Sequence, residues 1–296
     1  MTSRGSRLRA LLERRSAMPV PGAANALTAR IIEDEGFDAV YVTGAGIANT
    51  FLGVPDVGLT TLTEVASHVA AIRDVVDVPL IVDADTGFGN VVNTRRTVRL
   101  LEGCGADAIQ IEDQTFPKRC GHFAGKSVIS LEDMVDKISA ACAARTTPDV
   151  LLIARTDARA EYGIAEACRR ANAYREAGAD VLFVEAPRGD SEIAQIAEEV
   201  PGLVMLNVVE GGVTAAPSVE RLQELGYAMT LYANHPLLAT IAAVRGSLAH
   251  IRSGDRSPMP GAATWAERQR LVRRDWFEDF ERKHSTADPR DTQEEG

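Results

Sequence analysis

The sequence predicts an α/β fold, a (β/α)8 TIM barrel with additional helices at both ends. Three observations predict it. Eight short β-branched apolar runs recur along the chain, a helical pattern separates each from the next, and polar residues gather where the runs end. Near-continuous apolar runs are expected of parallel strands covered on both faces. Regular alternation of strand and helix demands a parallel sheet, and eight repeats suit closure into a barrel better than an open sheet.

In chain order, Met1–Ala17 is basic and amphipathic, with Leu8, Leu11 and Leu12 set among arginines. It reads as a surface helix packing on the barrel, because it lacks the apolar core and small-residue cleavage site of a secretory signal. The eight strands are read at Met18–Pro21, Ala39–Thr43, Pro79–Asp83, Ala108–Glu112, Val150–Ala154, Val181–Glu185, Leu203–Asn207 and Ala228–Tyr232. Helical patterns cover Ala24–Glu35, Leu62–Val75, Val92–Gly103, Leu131–Arg145, Ile164–Ala177, Ser191–Val200 and Ser218–Leu225. Glu102–Asp107 (EGCGAD) and Glu176–Asp180 (EAGAD) carry glycine stops that feed the next strand. A Rossmann fold would want GxGxxG after its first strand, and Thr43–Asn49 (TGAGIAN) does not supply it. The expected organisation is one barrel domain with a C-terminal helical extension over residues 1–284, then a polar, disordered tail over 285–296.

Composition bounds the function. With 296 residues and a net charge of −10, the chain offers no basic face for nucleic acid or an anionic membrane. No apolar run reaches the length of a membrane span. Cys104, Cys120, Cys142 and Cys168 are scattered, without a CxxC pair, so neither a zinc site nor a disulfide framework is expected. A cytoplasmic protein with reduced thiols follows.

The chemistry is expected at the C-terminal ends of the strands, where a (β/α)8 barrel builds its active site. Tyr41–Thr43, Asp83 and Asp85, Glu112 and Asp113, Arg155, Glu185 and Asn207 end six successive strands. In Ile81–Gly89 (IVDADTGFG), Asp83 and Asp85 alternate along an extended segment and face one way. Two adjacent carboxylates repel unless a cation or proton lies between them. All-oxygen ligands favour Mg2+, with Mn2+ also possible, and Glu112 is the third carboxylate, acting directly or through water. In Pro117–His122 (PKRCGH), Lys118, Arg119, Cys120, Gly121 and His122 share one loop. Cations there would stabilise a Cys120 thiolate, and a closing loop could bring it to a reacting carbon.

In order along the chain, YVTGAG, LGVPDVG, VDADTGFG, IEDQ…PKRCGH, ARTDA, FVEAP and NVVEGG resemble the isocitrate lyase/phosphoenolpyruvate mutase superfamily, nearest to its methylisocitrate lyase and 2,3-dimethylmalate lyase-like members. The resemblance runs from about Met18 to Leu248. It implies a homo-oligomer, dimer or tetramer, in which a terminal helix swaps between subunits. It also implies that Asp83 and Asp85 hold the metal and that Thr43, Gly44 and Ala45 form a carboxylate pocket. Asp56 would lie beside the reacting centre, with Arg155, Glu185 and Asn207 lining the pocket. Lys118–His122 match a mobile gating loop, and Cys120 matches the thiol that protonates a departing carbanion.

The implied activity is Mg2+-dependent carbon–carbon cleavage of a small 2-hydroxy dicarboxylic acid by retro-aldol chemistry. The products would be a 2-oxo acid, pyruvate or glyoxylate, and a carboxylic acid. Tyr41 is the candidate base and Cys120 the candidate acid. The alternatives are an oxaloacetate decarboxylase and a phosphonomutase of the carboxyphosphonoenolpyruvate or phosphoenolpyruvate type. Asn234 and His235 (in YANH) read as pocket residues. Leu238 and Trp265 stand where methylisocitrate lyases carry arginines, which favours a dicarboxylic substituted malate over a tricarboxylic acid.

Overall fold

Strands β1 (Met18–Ala23), β2 (Val40–Val42), β3 (Leu80–Asp83), β4 (Ala108–Glu112), β5 (Leu151–Thr156), β6 (Val181–Val184), β7 (Leu203–Asn207) and β8 (Met229–Tyr232) close into one barrel. Each pairs in parallel with its sequence neighbours, and β1 closes on β8 from Met18↔Met229 to Pro21↔Tyr232. The structure is a computed structural model that describes residues 2–118, 127–211 and 217–285. The eight expected strands are all present, with ends displaced by at most two residues.

Helices cover the sheet in chain order: α1 (Arg4–Glu13), α2 (Ala26–Asp34), α3 (Gly44–Ile47), α4 (Leu62–Arg73), α5 (Val91–Gly103), α6 (Leu131–Ala144), α7 (Arg159–Tyr162), α8 (Ile164–Glu176), α9 (Gly189–Glu199), α10 (Val219–Glu224), α11 (His235–Ser253), α12 (Trp265–Leu271) and α13 (Arg274–His284). Their starts follow side-chain caps. Thr61 and Asn90 form reciprocal capping boxes with Glu64 and Asn93, and Ser130 accepts from the Asp133 N–H. The glycine-rich Thr43–Asn49 segment, read from sequence only as a strand end, folds as α3 followed by a π turn over Ala48–Leu52.

The strands separate two apolar cores by side-chain parity. Val40, Val42, Leu80, Val82, Ile109, Ile111, Leu152, Ala154, Leu182 and Leu206 face the helices. Met18, Val20, Tyr41, Ile81, Ile153, Phe183, Met205 and Leu231 fill the barrel interior. This double burial is why the strands read as unbroken apolar runs.

Helix α1 closes the base of that interior. Leu8 and Leu12 are fully buried in the same core as Ile81, Ile153 and Met205. The helix is therefore a plug, where the sequence suggested a surface helix. Its polar side reaches four aspartates that stand just ahead of strands. Arg4 pairs with Asp77 at 3.1 Å, Arg7 with Asp38 at 3.4 Å and Arg9 with Asp180 at 2.7 Å. Ser3 and Ser6 donate to Asp149 at 2.6 and 2.9 Å.

The chain divides into two compact units, Met1–Ala242 and Ala243–Gly296. In the second, Thr264 caps α12, and Trp276, Phe277 and Phe280 lie exposed along α13. Trp276 stacks on Phe280 with ring centroids 5.3 Å apart. Residues 286–296, the greater part of the expected tail, lie outside the described residues. Among the described residues, no helix is long and apolar enough to cross a membrane.

Replacing Leu12 by Ala should cost about 2–5 kcal/mol of stability, the usual range for a buried leucine. Replacing Arg4, whose pair with Asp77 is exposed, should cost under about 1 kcal/mol. Chemical denaturation of the two variants checks both.

Candidate active site

The inward parity that carries apolar residues up the barrel ends in a polar layer at the C-terminal mouth. Thr43, Asp83, Glu112, Arg155, Glu185 and Asn207 occupy it, each two residues beyond an interior position of its own strand. A cleft of about 450 Å3, part of it open to solvent, lies there. Tyr41, Thr43, Ala45, Asp56, Asp83, Lys118, Arg155, Glu185 and Asn207 line it, together with Val209, Leu231, Ala233 and Asn234.

The floor is built around Asp83 and Asp85. Asp83 ends β3, and its Oδ1 accepts the Asp85 N–H at 3.1 Å. Asp85 itself sits at φ 47°, in the left-handed region that only special sites hold in a non-glycine residue. Its carbonyl accepts the Glu112 N–H at 2.9 Å, so the turn is tied to β4. Gly44 packs over both carboxylates. A Cβ there would stand 3.1 Å from Asp83 Oδ2 and 3.2 Å from Asp85 Oδ1. The Gly44 N–H points to Asp83 Oδ2 at 3.4 Å.

Two cations serve this floor. Lys118 is 4% exposed, and its Nζ lies 2.6 Å from Asp56 Oδ1 and 2.7 Å from Asp85 Oδ1. Burial works against its ammonium, but Asp85, Glu112, Asp83 and Asp56 outweigh that and hold its pKa well above the usual lysine value. Arg155 makes a two-pronged pair with Asp157, Nε–Oδ2 at 2.9 Å and Nη2–Oδ1 at 3.1 Å. It also lies 3.4 Å from Glu112 Oε2 and 3.5 Å from Glu185 Oε2, with its guanidinium 5.2 Å from the Phe183 ring centre.

Among the described residues, Asp56, Asp83, Asp85, Glu112, Asp157 and Glu185 thus share Lys118 and Arg155. The shortage of positive charge shows in their protonation. Burial, reinforced by Asp83 and Asp56 and only partly offset by Lys118, pushes Asp85 up to about 6. Burial likewise holds Glu112 well above the usual carboxylate range, against the pull of Arg155. Glu112 Oε1 is buried without a hydrogen-bond partner among the described residues. The space beneath Gly44, that orphaned oxygen and an all-carboxylate donor set fit a hard divalent cation. No group of three or more His, Cys, Asp or Glu side chains is already gathered to cage an ion among the described residues. Asp83 and Asp85 are the two carboxylates that border the space beneath Gly44 and could hold such an ion, with Glu112 beside them.

Asp113, the next residue after Glu112, faces the other way and does different work. Its carboxylate accepts from Thr156 Oγ1 at 2.7 Å, Tyr174 Oη at 2.8 Å, Arg170 Nη1 at 3.2 Å and the Asp157 N–H at 2.9 Å. It pins the end of β5 to α8, and so fixes the Asp157 that grips Arg155.

The structure brings Tyr41, Thr43, Ala45, Asp56, Lys118, Arg155, Glu185 and Asn207 to the cleft, as it does Asp83, with Asp85 and Glu112 beside it. Arg119, Cys120, Gly121 and His122 lie outside the described residues. Three expectations change. Tyr41 is fully buried and donates its hydroxyl to Gln110 Oε1 at 3.0 Å. Burial and the neighbouring Asp83 hold that hydroxyl well above its ordinary pKa, which favours the neutral phenol. His235 starts α11 edge-on to Tyr232 and is not in the lining, although its neighbour Asn234 is. Leu238 is 40% exposed on α11 and does not line the cleft either. The apolar wall comes from Val209, Leu231 and Ala233. Sequence reasoning missed these three and Gln110, whose one signal is an amide at the inward parity it shares with Glu112.

Comparisons with known proteins show which chains this one is similar to. The profile of the phosphoenolpyruvate phosphomutase family matches residues 8–252. The 2,3-dimethylmalate lyase of Eubacterium barkeri is 42% identical over 284 residues, covering 95% of this chain and 98% of that protein. The 2-methylisocitrate lyase of Aeropyrum pernix is 48% identical over 225 residues, 76% of this chain and 72% of that one. A solved phosphonopyruvate hydrolase, in complex with oxalate and Mg2+, superposes with a TM-score of 0.86 at 31% identity, over 96% of this chain and 99% of that one.

Glu112 and Asp113 should answer oppositely to mutation. Asp113→Ala removes the acceptor of the Tyr174 hydroxyl, the Thr156 hydroxyl and the Asp157 N–H, and should cost about 3 kcal/mol or more. Because the pKa of Glu112 is raised in the folded chain, stability is lost as the pH rises from the ordinary carboxylate range toward that raised value. Glu112→Gln should therefore cause no loss of stability near neutral pH. Denaturant unfolding at pH 7 measures both.

Proposed function

The chain belongs to the phosphoenolpyruvate phosphomutase family, within the phosphoenolpyruvate mutase/isocitrate lyase superfamily, and from that premise we propose that it is a divalent-cation-dependent carbon–carbon lyase. Its substrate is a small 2-hydroxy dicarboxylic acid, a substituted malate, and its products are a 2-oxo acid and a carboxylic acid. One observation carries the reading: the cleft sets a floor short of positive charge against a neutral wall. The floor calls for a cation and for substrate oxygens around it. On the β7–β8 side, Asn207, Val209, Leu231, Ala233 and Asn234 offer alkyl contact and amides. A third carboxylate buried there would have no cation partner on that side among the described residues.

When bound, Mg2+ or Mn2+ would be held by Asp83 and Asp85, with Glu112 behind, and would polarise the 2-oxygen and its neighbouring carboxylate. Backbone N–H groups of Gly44 and Ala45, at the start of α3, bind that carboxylate. Arg155, held by Asp157, orients the acid and balances charge as it develops. The hydroxyl proton leaves to a lining carboxylate, Glu185 or Asp56, in place of Tyr41. As the C2–C3 bond breaks, C2 becomes the 2-oxo carbon and the electron pair passes to C3. Cys120, assigned by its motif, protonates C3.

A cytoplasmic homo-oligomer completes the proposal. Cys104, Cys142 and Cys168 are free thiols. Leu238, Ile241, Val244, Leu248 and Ile251 form an exposed apolar stripe along α11, which suits the helix exchange between subunits expected of the family. Light scattering on the purified chain reads the assembly directly.

Product analysis tests the activity. Candidate acids are 2,3-dimethylmalate, citramalate, methylisocitrate, isocitrate, oxaloacetate and phosphonopyruvate, each with Mg2+ and with EDTA. Release of a 2-oxo acid from a malate derivative, abolished by EDTA, is expected. Turnover of oxaloacetate or phosphonopyruvate alone would sink the lyase reading. Cys120→Ser should lower turnover of the malate derivative by about 100-fold or more, within the range that general acids contribute.

Cation binding should also follow pH. A proton on Asp85 competes with the ion, so affinity measured by calorimetry should hold above pH 6. Below that it should fall by about tenfold for each pH unit.

A further inference from the structure

Gln110 is fully buried in β4, between Ile109 and Ile111, one interior layer beneath Glu112. An uncharged amide in that position must satisfy both its ends. Its Oε1 accepts the Tyr41 hydroxyl at 3.0 Å, and its Nε2 donates to Asp83 Oδ1 at 3.4 Å. The remaining donors to Asp83 are backbone groups, the N–H of Asp85 and that of Gly44. Gln110 is thus the side chain that joins the cation floor to the one phenol in the cleft.

The polarity of this chain is fixed. A carboxylate only accepts, so the amide must turn its N–H toward Asp83 and its oxygen toward Tyr41. A phenol has one proton, and here it is committed to Gln110. What Tyr41 has left for the cleft it lines is an oxygen lone pair. It can accept from a hydroxyl, but it has nothing to donate to an oxo group.

We infer that Gln110 is a positioning residue: it orients Tyr41 as a hydrogen-bond acceptor toward the substrate, so that the cleft favours a 2-hydroxy over a 2-oxo group beside it. This deepens the proposed function and rests on its 2-hydroxy-acid reading. It also distinguishes the two stages of the reaction. The contact made with the hydroxy acid is lost once C2 becomes an oxo carbon, which favours departure of the product.

Equilibrium binding tests the inference without turnover. Lactate and pyruvate form a 2-hydroxy/2-oxo pair with no bond for the enzyme to cleave. Their affinities in the presence of Mg2+ are read by ligand-observed NMR, and Mn2+ binding is read separately by electron paramagnetic resonance. Gln110→Leu frees the Tyr41 hydroxyl to turn and donate, so the lactate-to-pyruvate affinity ratio should fall by about fivefold, the worth of one hydrogen bond. Gln110→Glu keeps an oxygen opposite Tyr41 and should hold the ratio within about twofold. Tyr41→Phe removes the acceptor altogether and should lower the ratio as Gln110→Leu does, which serves if the leucine variant does not fold.

A ratio indifferent to Gln110→Leu and Tyr41→Phe, or shifted equally by Gln110→Leu and Gln110→Glu, would overturn the inference alone. If the wild-type protein binds Mn2+ but neither acid, the substrate reading fails and takes this assignment with it.

Discussion

Everything at the mouth of this barrel follows from too many carboxylates sharing too few cations in a place that water barely reaches. Five acidic side chains pair with Lys118 and Arg155, and Asp83 adds a sixth charge beside them. In a medium that penalises isolated charge, such a cluster stays ionised only as far as positive charge is supplied. Lys118 meets part of the demand by bridging Asp56 and Asp85, and Arg155 by serving Glu112, Asp157 and Glu185. The unmet remainder is visible in the elevated Asp85 and Glu112. A cluster in this condition suits a hard cation.

The scaffold makes this concentration tolerable by keeping roles separate. Parity sends Glu112 into the barrel and Asp113 out toward α8, where Arg170, Tyr174 and Thr156 saturate it. One carboxylate keeps an oxygen without a hydrogen-bond partner among the described residues, and its neighbour accepts four hydrogen bonds. The satisfied one holds Asp157, Asp157 holds Arg155, and Arg155 stands in the cleft at a defined place. Rigid support behind a reactive group is what lets a small side chain act at a fixed distance.

Much of this was legible in the sequence, for a physical reason. Parallel strands buried on both faces admit few polar residues, so Asp83, Glu112, Arg155, Glu185 and Asn207 stood out where each apolar run stopped. The strand order and closure were legible from the repeat itself. Other features depend on geometry that spacing does not encode. Gln110 looked like a blemish in an apolar strand, because the partners that give it meaning sit on β2 and β3. The direction of the Tyr41 hydrogen bond cannot be read from residue types. Leu238 matched by alignment but sits on an exposed helix face, and the apolar wall comes from β8 and the segment after β7. For α1, amphipathicity was plain, but nothing local distinguishes a helix lying on the barrel from one sealing it.

That seal has a bearing on how the molecule is made. Helix α1 precedes every strand of the barrel in the chain, yet its contacts lie far downstream: Arg4 with Asp77 spans 73 residues, Ser3 with Asp149 spans 146 and Arg9 with Asp180 spans 171. A helix this short has little standing stability of its own. It waits, exposing Leu8 and Leu12, until β5 and β6 have been synthesised, and the barrel around it closes only when β8 reaches β1. Non-local closure of this kind is slow and leaves apolar surface uncovered during synthesis. The arginines along α1 keep the waiting segment charged and soluble, and the same side chains later find the aspartates at the barrel base. A feature that looks like static sealing in the finished protein is thus also a safeguard during its birth.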